Sequence, residues 1–346
     1  MPVSSELLTA YPEPQLAAAW NASLDESRFA SHYTSPEFFS EEYFLDSAPF
    51  AVLAVQGETV LGVLTGTSRG GFAVCGMHAS PQVCIRDGAA EADVVVALLA
   101  GLKGRLTKQE RMLTVFSWTA LEGFRRAGFR ERLIRAPMAP ILIDLSRSPD
   151  ALFREFSETR RNKVRRAIKA GVEVAELNIA DDFDTYYELY AHWCNFKHVA
   201  PQPYDVQRAV FEHSGNRLVL CARHAGKIVG VSTFRYRKPG IMEYAANVSR
   251  REETRIRQND LLLWKGIEWA AGSGLRYFST AGSHFFLQKF GGALHTTYRY
   301  TMDRTVLRRH HAVETLHDAA LSMFQKFPGG VQQAVRRLRG ARGEQE

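Results

Sequence analysis

Apolar positions recur along the chain in two rhythms, every second residue and every third or fourth, and the change from one to the other marks the elements. The clearest run is 241–292, where a strand, a charged loop, a helix, a second strand and a Phe-Gly-Gly follow without a gap. Residues 241–249 are short and apolar, 250–258 are charged, and 259–271 set Leu261, Leu262, Trp264, Ile267 and Trp269 at helical spacing before Gly272 and Gly274. With 275–280 returning as a strand, the spacing predicts a βαβ unit with a polar crossover. Asn259 or Asp260 is placed to cap the helix.

The same rhythm appears earlier. Residues 35–46 read as a helix through Phe38, Phe39, Tyr43, Phe44 and Leu45, then 50–55 and 60–67 form a hairpin turned by Gly57. A strand at 72–78, a helix at 89–106, a strand at 112–118 and a short helix into Gly128-Phe129 follow, and 133–145 is extended around Pro137 and Pro140. Residues 151–170 predict one basic helix ended by Gly171, with a strand at 172–177 and helices at 182–197 and 204–213 after it. A second hairpin, 218–223 with 228–235, carries Ile228-Val229-Gly230-Val231 where the first has Val60-Leu61-Gly62-Val63. Phe124 to Phe129 and Phe286 to Gly292 likewise each set a short helix before a glycine. Two copies of one α/β unit is the economical reading, dividing the chain into 1–145, 146–310 and a helical basic tail, 311–346. In that tail Val313, Leu316, Ala320, Met323, Phe324 and Phe327 recur at helical spacing before Pro328-Gly329-Gly330.

Composition narrows the class. The 346 residues, 45% of them hydrophobic, suffice for two domains with their own cores. Four scattered cysteines, with no Cys-x-x-Cys, suggest neither a metal site nor disulfides and fit a reducing cytoplasm. Glu6, Glu13 and prolines stand where an export signal needs a basic start and an apolar core, and no apolar run approaches the roughly 20 residues of a membrane span. The net charge of +7 matters through its clusters. One holds Arg160, Arg161, Lys163, Arg165 and Arg166, the other Arg336, Arg337, Arg339 and Arg342. Each reads either as a solvated face or as a surface for an anion. Residues 331–339 could touch a membrane surface or nucleic acid, or simply cover an exposed flank.

The order hairpin, strand, loop, helix, strand, Gly-closed helix resembles the GNAT acyltransferase fold, an α/β architecture built on mixed sheets, and each half looks like one such domain. In the second half, Arg161-Asn162-Lys163-Val164-Arg165-Arg166-Ala167 with Gly171-Val172, then Leu261 to Trp264 with Glu268-Trp269-Ala270, then Phe286 with Phe290-Gly291-Gly292, resemble the Fem-type aminoacyltransferases and the BioF2-like acetyltransferases. The resemblance implies an N-acyltransferase that moves an acyl group to an amine of a small molecule or peptide. It implies acyl-CoA as donor, or aminoacyl-tRNA acting on a peptide or cell-envelope precursor, and no metal. The sequence has Phe286-Leu287 with Lys289 two residues on where Fem-type enzymes carry Phe-Lys, and Arg255-Ile256-Arg257-Gln258-Asn259-Asp260 lacks the glycines of a GNAT pyrophosphate loop. Asp260 would itself repel a phosphate there. A catalytically inactive tandem module that binds RNA or protein is the rival from another class.

Candidate chemistry follows from position. Arg255, Arg257, Gln258 and Asn259 open the helix, where free amides and basic side chains converge on an anion such as the donor phosphates, and Lys289 stands near by the resemblance. Glu243, on one strand face with Asn247, is placed to take a proton through water, or is an ordinary strand carboxylate. His284, just past the second strand, sits where open α/β sheets bind ligands, or is a loop residue without a role. By the resemblance Arg161 faces an anionic acceptor, and Asn195, Lys197, His198 and Tyr204 lie in the region of the acceptor pocket. No His-Asp pair is placed to activate Ser279, Thr280 or Ser283, so a serine hydrolase is not indicated.

Overall fold

The computed structural model describes residues 1–41, 47–77, 80–107, 109–213, 215–250 and 254–325. The first half supplies β1 (Ser4–Leu8), α1 (Pro14–Asp25), β2 (Ala48–Gln56), β3 (Thr59–Arg69), β4 (Phe72–Cys75), β5 (Val83–Ile85), α2 (Glu91–Arg105), β6 (Met112–Ser117), α3 (Glu122–Arg126), β7 (Arg130–Ile134) and β8 (Ile141–Asp144). The second supplies α4 (Pro149–Glu155), α5 (Glu158–Lys169), β9 (Glu173–Glu176), α6 (Ile179–Lys197), α7 (Tyr204–His213), β10 (Arg217–His224), β11 (Lys227–Tyr236), β12 (Ile241–Ser249), α8 (Gln258–Gly272), β13 (Tyr277–Ser279), β14 (Ala293–Leu294), β15 (Thr297–Asp303) and α9 (Arg309–Gln325).

The repeat is real and has a physical cause. In each half an antiparallel hairpin leads to a strand, a crossover helix and a parallel strand: β2, β3, β4, α2, β6 and β10, β11, β12, α8, β13. Both hairpins are bulged at the same place, because Ala54 faces Gly62 while Val55 faces Val60, and Ala222 faces Gly230 while Arg223 faces Ile228. Leu61 and Val229 are thus the extra residues. The neighbouring glycines then let the crossover helix approach: a Cβ on Gly62 would lie 2.3 Å from Val94 of α2, and one on Gly230 would lie 3.2 Å from Gln258 of α8. The repeated Gly-Val is the imprint of that approach.

The sheets exchange strands. One runs β1-β2-β3-β4-β6-β15-β7 with β5 on β3, the other β14-β8-β13-β12-β11-β10-β9. The division expected at 145/146 is therefore crossed twice, since β8 lies in the second sheet and β15 in the first. The halves are bound by two full strand insertions.

Other expectations change in detail. The single helix 151–170 is two, α4 and α5, because the Ser157 amide donates to Lys289 O and the Arg161 guanidinium donates to the carbonyls of Arg154 and Phe156. Residues 36–40 form a 3-10 turn, whereas Tyr43, Phe44, Leu45, His78 and the basic tail from 326 onward lie outside the described residues. In α9, Val313 and Leu316 are 66% and 70% exposed. The opposite face is held instead, as Glu314 and Asp318 meet Arg130, Arg132 and Arg299 of β7 and β15.

Helix α2 packs Val94, Leu98 and Leu102 against Phe50, Leu64 and Tyr300, and α8 packs Leu262 and Ile267 against Phe234, Met242 and Phe278, each fully buried side chain contributing about 1.5–3 kcal/mol. On the other face of the second sheet lie α6 and α7. A Cβ on Gly266 would sit 2.4 Å from the buried Phe234 ring. Gly266→Ala is therefore expected to destabilise by about 1–3 kcal/mol through overpacking, outweighing a helix-propensity gain of about 1 kcal/mol. Urea unfolding checks this, and an unchanged midpoint would show that α8 has room to shift.

Candidate active site

The parallel pair β12 and β13 opens into a fork. Pairing stops at Glu243 with Ser279, while β12 runs on to Ser249, with Ala245 bulged opposite the Thr233–Phe234 step. Beyond the fork stands the N-terminus of α8. No side chain caps it: Arg257 occupies the cap position with φ 66°, Asn259 donates instead to Ser249 Oγ at 3.2 Å, and Asp260 pairs with Arg160 at 2.5 Å. The capping expected of Asn259 or Asp260 is thereby corrected, since both side chains have other partners.

A cavity of about 190 Å³ lies against this helix start, lined by Arg160, Lys163, Arg257, Gln258, Asn259, Asp260 and Phe286. Several of its polar atoms are buried without a partner among the described residues: both ends of the Gln258 amide, Asn259 Oδ1, and the Nε of Arg160 and Arg257. Buried donors and acceptors without partners are costly, and this group suits a polar ligand. The repulsion expected from Asp260 is cancelled by Arg160, whose guanidinium also lies 4.2 Å from the centre of the Phe286 ring. What remains is a helix N-terminus with Lys163 and Arg257 in excess, which suits an anion. In the first half the equivalent helix start carries Glu91 and Asp93 in its first turn, which does not.

Of the residues expected at the site, Arg257, Gln258 and Asn259 come together here, and Glu243 sits at the apex of the fork. Arg255 is exposed and outside the cavity lining. Lys289 places its ammonium 4.8 Å from the centre of the Phe285 ring, and His284 is exposed, its carbonyl accepting from the amides of Leu287 and Gln288. Arg161 spans the break between α4 and α5. Asn195, Lys197 and His198 are exposed at the end of α6, the Tyr204 hydroxyl donates to Asp184, and Asn247 donates to Ser232 Oγ at 2.8 Å. Arg160 and Lys163 were visible only as members of a basic run, because the break at Phe156 and Ser157 decides which of its residues face α8.

A second group of polar side chains fills the interface between the halves. Glu41 of the first half receives Arg235 Nε at 2.5 Å and Nη2 at 2.9 Å, holds His32 Nε2 at 2.6 Å, and lies 3.8 Å from Arg217. Burial works against its charge, but His32 and Arg235 hold the carboxyl well below the usual range. Burial lowers the pKa of His32 against the pull of Glu41. Glu243 faces Arg235 across the strands, is 2% exposed, and neither oxygen meets hydrogen-bond geometry with another described residue. Burial pushes its pKa up to about 8, partly offset by the Ser80 hydroxyl and Arg235. No group of three or more His, Cys, Asp or Glu among the described residues is arranged to hold a metal, and no described helix is long and apolar enough to cross a membrane.

Comparison with known proteins agrees with this geometry. Residues 158–288 match the family model described as acetyltransferase (GNAT) domain, a span that includes the cavity, the fork and α8. No curated protein matches the sequence. Among solved structures, FemX is similar with a TM-score of 0.67 at 11% identity, covering 89% of this chain and 99% of that one. The C-terminal domain of a putative lysylphosphatidylglycerol synthetase from Agrobacterium fabrum gives 0.58 at 13% identity, covering 89% and 96%. A tandem GNAT protein from the clavulanic acid biosynthesis pathway gives 0.52 at 13% identity, covering 88% and 99%. Residues 158–288 thus match a GNAT acetyltransferase domain, and the chain as a whole shares its fold with FemX and with a tandem GNAT protein.

Proposed function

We propose that the second half transfers an acyl group from acyl-CoA to the amine of a small molecule or peptide, in a reducing cytoplasm, where its four free, buried cysteines stay reduced. The observation that carries this is the cavity at the start of α8, with a buried, unpartnered Gln258 amide and cationic Lys163 and Arg257. The donor supplies an activated thioester, and these residues hold its phosphates. The fork then directs the acyl end toward Glu243. There the carboxylate takes one proton from the acceptor ammonium, directly or through water, and the freed nitrogen attacks the thioester carbonyl. A C–N bond forms, the C–S bond breaks, and the second nitrogen proton leaves with the thiolate as thiol. A base with a pKa near 8 suits this at neutral pH.

The test is binding. Free coenzyme A should raise the melting temperature, since a ligand of the folded state stabilises it. Replacing Lys163 and Arg257 together by Gln should lower its apparent affinity at least about tenfold, each charge-assisted hydrogen bond contributing about 1.5–3 kcal/mol, less where solvent reaches it. Equal affinity in the double variant would remove the phosphate site.

Aminoacyl-tRNA is the second reading, and one observation favours it. Next to the cavity, α5 exposes Arg165, Arg166 and Lys169, a basic face longer than coenzyme A needs. A tRNA donor predicts steep weakening with salt, coenzyme A a gentle one.

A further inference from the structure

The crossover helix of the first half starts with acidic residues, Glu91 and Asp93, yet that half places one carboxylate in the second half's strand row. Arg217, Arg235 and Glu243 are cross-strand neighbours on β10, β11 and β12, and Glu41 enters from the first half to grip Arg235 with both oxygens. Arg235 is fully buried, so its fork cannot turn to water. Two carboxylates therefore compete for one guanidinium, and the bidentate geometry of Glu41 wins.

We propose that Glu41 is a positioning residue for the acyl transfer: by clamping Arg235 it denies Glu243 a direct ion pair and leaves that carboxyl free to exchange a proton with the acceptor. This rests on the reading of Glu243 as proton acceptor and extends it, making the first half part of the reaction machinery. An ion-paired Glu243 would be a poor base, because a cation at contact favours its charged form. The groups facing Glu243 agree with this division. Arg235 comes from its own sheet, Glu41 and Ser80 from the first half, and Ser279 is its register partner on β13, while Arg217 and His32 lie against Glu41. Glu41 is satisfied by three of them, and Glu243 receives only the partial pull of Ser80 and the field of Arg235. Residue 240 shows how closely the halves meet, since a Cβ there would lie 1.9 Å from the Ala30 carbonyl and the Ile241 amide donates to that same oxygen at 2.8 Å.

The experiment follows the protonated carboxyl stretch of Glu243 by infrared titration of the full chain, identified as the band lost in Glu243→Gln. In Glu41→Gln the Arg235 guanidinium loses its bidentate carboxylate and should turn to Glu243, so the band should disappear at neutral pH and its midpoint should fall by about 1–3 pH units. Should that variant not fold, Glu41→Asp keeps the charge but shortens its reach, and a smaller fall in the same direction is expected. A midpoint that does not move in a folded variant overturns the proposal, whatever the activity. The two readings fail separately: a Glu243→Gln protein with full acyl-transfer activity would refute Glu243 as base even if the midpoint moved.

Discussion

Arg160→Ala should unfold the second half more readily and weaken the proposed donor site at the same time. Arg160 is 6% exposed and Asp260 only 4%, so removing the cation strands a buried carboxylate at a cost of about 3–5 kcal/mol. The loss is larger than the net worth of the pair, because most of it is desolvation of Asp260 that nothing then offsets. Adding Asp260→Asn to Arg160→Ala should therefore recover much of the stability. Donor binding should follow the same pattern. With Arg160 gone, Asp260 becomes an uncompensated negative charge at the N-terminus of α8, where it neutralises the attraction of that helix end for an anion and repels the phosphates of the proposed donor. The double variant should regain part of the coenzyme A affinity as well as stability. Denaturant titration and thermal shift with coenzyme A measure the two effects on the same samples. Stability equal to wild type in Arg160→Ala would mean that Asp260 finds water, and the cavity would then have to be more open than its lining shows.

Residue spacing revealed much of the second half because its signals are local. Strand β12 and helix α7 fall where the hydrophobic rhythm puts them, and α8 starts one residue early, at Gln258. The repeated Gly62 and Gly230 are legible as a pattern, though their cause, two helices pressing on two bulged strands, lies in the tertiary packing. What stayed hidden depends on distance or on small rotations. The exchange of β8 and β15 carries no mark in either strand's own sequence. Arg160 and Arg161 are adjacent in one basic run, yet about 100° of helical turn sends one to Asp260 and the other to the carbonyls that end α4. Glu41 and Arg235 are 194 residues apart, and nothing near either residue announces the other. Glu243 was visible as a strand carboxylate, but its burial comes from the opposite half.

Glu243→Gln should change the pH dependence of stability in a direction that the burial of the carboxyl dictates. Its ordinary pKa is 4.5 and its folded value is raised to about 8, so between those limits the folded chain holds a proton that the unfolded chain releases. Stability from this group is complete below about pH 4.5 and is lost as pH rises toward about 8, by about 1.4 kcal/mol for each unit within the window. A glutamine does not titrate. The variant should therefore gain on the wild type steadily from pH 5 to 8, and the difference should level off above that. Glu41 and His32 titrate in both proteins and largely cancel in the comparison, which isolates Glu243. If the base assignment also holds, acyl transfer should fall by roughly 10²–10⁴-fold in the same variant, with coenzyme A binding unchanged because Glu243 does not line the cavity at the start of α8, the proposed phosphate site. Urea unfolding at pH 5, 7 and 9 tests the first expectation. A stability difference that stays flat over that range would show that Glu243 is ionised in the folded protein throughout, and a buried carboxylate without a hydrogen bond would then need a partner that the fork does not supply.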